Sequence, residues 1–252
     1  MIKFFRKIRQ NLLAEGKTGK YLKYAVGEIV LVLIGILLAL QINNWNINQN
    51  NLKESREFVN RLQKEIISNI NFTKSEIQRK ESEIKSALAI LKMIDEEDKT
   101  KNSSRSLDSL IFISMTNNNM EFKIGTLNEG FNTGKVALIT SDSLKSLLYG
   151  LPSIIDETRV LEKYNNEDLN SYFYPFIYKN ISFRQMDGVH SEYADQIGTS
   201  KFTNHKNLNV LNSMEFESLI DNRFYSCNSQ LKSYVNLKNY LDSINKMIEE
   251  FH

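Results

Sequence analysis

Residues 29–40 read IVLVLIGILLAL, twelve apolar or glycine positions in a row. A helix with no polar face must be buried on every side, by protein or by lipid. Ala25, Val26 and Gly27 extend the tract across a single acid, Glu28. From Tyr24 to Trp45 a helix advances about 31 Å, which matches a hydrocarbon core of roughly 30 Å and sets an aromatic ring near each interface. The pattern predicts a transmembrane helix over residues 21–45. A cleaved signal peptide has a similar order, but QINNWN after Leu40 lacks the small residues a signal peptidase needs, so the segment reads as a retained anchor.

Charge sets the expected orientation. Lys3, Arg6, Lys7, Arg9, Lys17, Lys20 and Lys23 stand against Glu15 alone before Tyr24. By the positive-inside rule the amino terminus stays in the cytoplasm and the chain from residue 46 onward is exported. The same seven side chains are expected to contact anionic lipid head groups, at about 1 kcal/mol each. Phe4, Phe5, Ile8, Leu12 and Leu13 recur at helical spacing among them, so residues 1–20 read as a basic amphipathic segment lying in the interface. From Tyr24 onward 25 basic residues face 29 acidic ones, so that part has no overall attraction for nucleic acid.

Glu28 sits one turn inside the expected bilayer, where a carboxylate must reach a head group, take a proton or find a partner. At 100° per residue it shares a helix face with Gly35 and Ala39, a small-xxx-small pair that permits close helix approach. Two readings stand: association with itself or a membrane partner through Glu28, Gly35 and Ala39, or a glutamate that reaches the head groups.

The opening residues 1–46, MIKFFRKIRQNLLAEGKTGKYLKYAVGEIVLVLIGILLALQINNWN, resemble the start of a family of uncharacterised single-pass bacterial membrane proteins. LNEGFNTGKVALITSDSLKSLL, residues 127–148, is similar to that family's second signature. The resemblance implies a bacterial inner-membrane anchor and a helical periplasmic domain. It implies no activity and carries no site residue.

The chain as a whole has 41% hydrophobic residues and only two prolines, and residues 46–252 suffice for one packed domain. Asn43 to Asn51 hold six asparagines, weak helix formers that suggest a hinge or a frayed helix. Val59, Leu62, Ile66, Ile70, Ile77, Ile84, Leu88 and Leu91 then line one side of a long helix. Ile70, Ile77, Ile84 and Leu91 repeat at sevens, but Thr73 and Lys80 at the companion positions favour packing within the chain over a coiled coil. Gly134 suits a helix end, Ser141 or Asp142 a cap, Pro152 a turn into a helix over residues 154–174, and residues 213–251 the last helix. The expected class is all-α: an anchor followed by an antiparallel bundle with two long helices.

Chemical motifs are weak. GFNTGK, residues 130–135, has one residue too few between its glycines for a phosphate loop. His190 and Glu192 copy a fragment of a zinc deaminase signature whose paired cysteines a chain with Cys227 alone cannot supply. His205 and His252 show no ligand spacing, and Cys227 reads as a small buried filler. No cofactor or metal is expected. Tyr172, Tyr174, Phe176 and Tyr178, crowded around Pro175, are the first candidates for a binding surface, with core packing as the alternative. The sequence therefore points to a membrane-anchored, non-enzymatic interaction or scaffold module binding a protein or envelope component. The alternative is a ligand-sensing helical bundle that signals through a partner subunit.

Overall fold

A computed structural model describes residues 18–117 and 121–251, and among them there are helices and turns but no strand. Helix α1 is Thr18–Asp95, followed by α2 Ser104–Ser114, α3 Gly125–Asn132 and α4 Asp142–Asp168. A π turn, Leu169–Phe173, leads into α5 Tyr174–Asn180, then α6 Phe183–His190, α7 Ala194–Ile197 and α8 Met214–Phe251. The asparagine-rich stretch is helical within α1 rather than a break, since extending a helix from strong flanking segments costs far less than starting one. Contacts divide the chain into two compact units, residues 1–57 and 58–252.

In the first unit the apolar stretch is a helix that buries none of its residues inside the protein. It is long and apolar enough to cross a membrane once.

The second unit is organised by three helices whose buried positions alternate three and four residues apart. On α4 these are Leu144, Leu148, Leu151, Ile155, Thr158, Glu162 and Asn165. On α8 they run Phe216, Ile220, Arg223, Cys227, Gln230, Tyr234, Leu237, Leu241, Ile244 and Ile248. This is the stripe an α-helix turns toward a neighbour. Side-chain pairs Tyr240 to Leu147, Ser233 to Thr158 and Ser226 to Asn165 show that α4 and α8 run in opposite directions.

On α1 the buried line differs from the apolar one. Val59, Leu62, Ile66 and Ile70 are buried, but beyond them the inward positions are Thr73, Lys80, Glu83, Ala87 and Ile90. Ile77, Ile84 and Leu91 lie on the flank, half-buried, and Leu88 is exposed. The seam residues that argued against a coiled coil are thus core residues of this chain: Thr73 donates to the Asn69 carbonyl and Lys80 to the Glu83 carboxylate, both within α1, and Glu83 in turn is held by Arg223 and Cys227 of α8.

The chain before α4 is fastened to α1 by side chains. Glu65 accepts from the backbone N–H groups of Thr126 and Leu127 at 2.7 and 3.0 Å, which satisfies two of the orphan donors at the start of α3. Asn69 pairs with Lys123 through both its N–H and its C=O. Gly134, at φ 73°, ends the turn after α3, where a side chain would be strained. Ser141 caps α4 through the Leu144 N–H.

Pro152 does not begin a helix; it lies inside α4. It withholds one backbone donor. The helix persists because Leu148, Leu151 and Ile155 on either side of it are buried. Gly150 also leaves room for Tyr240, whose hydroxyl donates to the Leu147 carbonyl on the same turn. Pro175 is accommodated differently: just before it the Tyr174 N–H reaches five residues back to Leu169, a wider turn that absorbs the lost bond.

Candidate functional site

The four tyrosines and phenylalanines singled out around Pro175 separate onto two sides of α5. Tyr174 and Tyr178 line one groove, of about 840 Å³, with Phe112, Met115 and Asn117 of the α2 end and Phe183, Met186 and Asp187 of α6. Tyr172 and Phe176 line another, of about 470 Å³, with Lys179, Glu215 and Leu219. Phe176 is largely core: it stacks on Phe216 with ring centroids 5.6 Å apart. Tyr178 is 71% exposed and Phe112 60%. The five-residue π turn just before α5 shifts the helical register there, and such turns recur at functional sites.

Beneath the first groove lies a buried polar layer that pattern reading missed. It separates two hydrophobic clusters, one around Phe58, Leu148 and Leu241, the other around Ile90, Phe173 and Phe216. The Glu83 carboxylate accepts from Lys80 at 2.8 Å, from Arg223 at 3.0 Å and from the Cys227 thiol at 3.2 Å. Arg223 also donates to Asn165, which accepts from Ser226 as well. Tyr234 donates to Glu162, and Arg79 pairs with Glu76. Sequence inspection passes over these residues because it scores polarity as exposure. Continuing the three-four alternation through Arg223, Cys227 and Gln230 would have found them.

Burial dominates the ionisation of this layer. It pushes the Lys80 ammonium below its usual value and Glu76 above its own, each against the attraction of its ion-pair partners. The Cys227 thiol is driven up to about 11, chiefly by burial. At neutral pH it is a protonated, inert thiol rather than a nucleophile. Tyr234 is raised by burial and by the Glu162 carboxylate it bonds. The layer holds its charges as hydrogen-bonded pairs.

Groove and layer meet at Arg79, and Tyr174 feels the charges of the layer. Tyr174 donates to the Met115 carbonyl at 2.5 Å and to Asn117, and its ring lies within the field of Arg223 and Glu83. Arg79 donates to the Asn117 carbonyl at 3.3 Å.

The other expected residues are placed as follows. Lys3, Arg6, Lys7, Arg9 and Lys17 lie outside the described residues, Lys20 is described only as part of α1, and Lys23 is exposed. Glu28 is half-buried, whereas Ala39 is exposed and a Cβ on Gly35 would meet nothing within 4 Å. The His205 ring faces the Asn180 carbonyl, the His190 side chain and His252 are outside the description, and no group of three metal-binding side chains converges among the described residues. The chain matches no family model, no curated protein and no solved structure.

Proposed function

We propose that the chain is a membrane-tethered binding module: one transmembrane helix with its amino terminus in the cytoplasm, and a periplasmic antiparallel helical bundle that holds a protein or envelope component. The apolar helix that its own protein leaves uncovered supports the tether, and the basic residues ahead of it support the orientation. The observation that carries the binding role is the groove beside α5, where Tyr178 and Phe112 expose large rings next to polar tips. The role requires no catalytic group.

The test is capture with position control. Full-length chain purified in maltoside from its native membranes should retain a stoichiometric partner. A photo-crosslinking residue in place of Tyr178 or Tyr172 should react with it, and one in place of exposed Val160 should not. Crosslinking at all three positions, or at none, overturns this reading.

One observation favours ligand sensing as a second reading. Arg79 of α1, paired with Glu76 in the polar layer, donates to the Asn117 carbonyl at the groove, so an occupant would bear on α1. That reading expects ligand-dependent thermal stabilisation without a stoichiometric protein partner.

A further inference from the structure

The groove on the Tyr178 side of α5 presents one kind of electrostatic surface. Ring centroids of Tyr174 and Tyr178 lie 6.5 Å apart with a 43° tilt, and those of Tyr178 and Phe183 lie 5.2 Å apart at 40°. Three rings thus form one strip. Because the Tyr174 hydroxyl is committed to Met115 and Asn117, its ring rather than its oxygen is what the groove offers. Met115 and Met186 add polarisable thioethers to the wall. Among the described lining residues only Asp187 carries a charge, and none is Lys, Arg or His. Two guanidiniums lie behind the groove, each paired with a carboxylate: Arg79, behind Asn117, with Glu76, and Arg223, on the Tyr174 side, with Glu83.

Ring faces, thioether sulfur and a carboxylate all attract positive charge. A primary ammonium would exchange three strong bonds to water for a wall with few acceptors, whereas a fully alkylated ammonium donates no hydrogen bond and loses little on entering. The volume, about 840 Å³, suits a small molecule. We propose that this groove binds a small organic cation of the quaternary ammonium class, with the strip of Tyr174, Tyr178 and Phe183 receiving the alkylated head and Asp187 balancing its charge. The inference rests on the reading of this groove as a binding surface and deepens its second, ligand-sensing form by naming the class of ligand.

Calorimetric titration of the full-length chain tests it, in maltoside micelles that carry no ammonium group and at constant ionic strength. The probes are choline and 3,3-dimethylbutan-1-ol, its neutral isostere. Choline should bind saturably, and the alcohol at least about tenfold more weakly. Asp187→Asn and Tyr178→Ala should each weaken choline by about tenfold or more while leaving the thermal unfolding midpoint unchanged. Tyr178 is largely exposed, so its truncation spares the fold even if Asp187→Asn does not. Equal affinity for alcohol and choline overturns the cation assignment but leaves a binding groove. Choline binding that survives both substitutions places the ligand elsewhere and overturns it too. If neither probe binds at about 10 mM the inference fails; persistent crosslinking at Tyr178 would then show that the binding-surface reading still stands.

Discussion

The Arg223 guanidinium meets the Glu83 carboxylate at 3.0 Å with both side chains 1% exposed, and the fully buried Lys80 ammonium shares the same carboxylate oxygen. Two cations on one anion, sealed between apolar clusters, are held together only as a set. Arg223→Met is expected to cost about 3–5 kcal/mol, because it takes one donor from Asn165 and one from Glu83 and breaks the network without removing the remaining charges. Replacing all three together, Lys80→Met, Glu83→Leu and Arg223→Met, should recover most of that loss, since apolar residues of similar volume avoid the desolvation penalty. Urea unfolding of the full chain in maltoside measures both. A single-variant loss below about 1 kcal/mol would mean that water reaches the layer.

Lys80 gives this layer a signature in pH. Its pKa is lowered in the folded chain by burial, so between that value and 10.5 the unfolded chain holds a proton that the folded chain has released. Stability contributed through Lys80 therefore rises with pH across that window. Buried tyrosines act in the opposite sense, so the comparison must be made with Lys80→Met. The stability of wild type relative to Lys80→Met should climb as pH increases toward 10.5, and a flat difference would show that Lys80 keeps its ordinary affinity for protons.

Cys227 reports on the same layer without further engineering, because it is the only cysteine. Its thiol is buried, bonded to Glu83, and raised from 9.0 to about 11, which alone lowers the thiolate fraction about a hundredfold at pH 8. Disulfide reagents should leave folded protein unmodified on a scale of hours and react within minutes in urea. Rapid labelling of native chain would show that the layer opens locally.

Much of the fold is legible in the sequence, and the illegible part has one cause. Gly134 as a helix end, Ser141 as a cap and the apolar stripe at the end of α8 rest on local chemistry, which the sequence displays directly. Lys80, Glu83 and Arg223 are buried because each finds its partner on another helix or one turn away, information that periodicity of apolar residues does not contain. The same holds for the binding surface. Crowding around Pro175 was visible, but the π turn that sends Tyr174 and Tyr178 to one groove and Tyr172 to another depends on backbone packing.

Gly130 of α3 packs against the Phe58 ring of α1. A Cβ there would overlap the Phe58 ring, which is fully buried and has no room to swing aside, and would also press on Val136. Gly130→Ala should therefore destabilise the second unit by about 1–3 kcal/mol, although alanine is the better helix former at an exposed site. Gly134→Ala, where open space surrounds the position but φ is 73°, should cost about 1–2 kcal/mol from backbone strain alone. Thermal unfolding of the two variants separates them. Pairing Gly130→Ala with Phe58→Leu should rescue part of the first loss and none of the second.

Gly35 offers the opposite case, a glycine at which an added Cβ meets nothing within 4 Å among the described residues. Gly35→Ile therefore probes contacts between molecules on the face shared with Glu28 and Ala39. If that face seats a second membrane helix, Gly35→Ile should lower association in a membrane two-hybrid reporter by several-fold, because the branched side chain holds the backbones apart. Glu28→Gln, which keeps the shape and removes the charge, should lower it as well if the carboxylate is shared across the interface. Urea unfolding of the second unit should be unaltered by either change. Unchanged association in both variants would leave Glu28 as a residue that reaches the head groups, and would assign the small residues to packing with lipid alone.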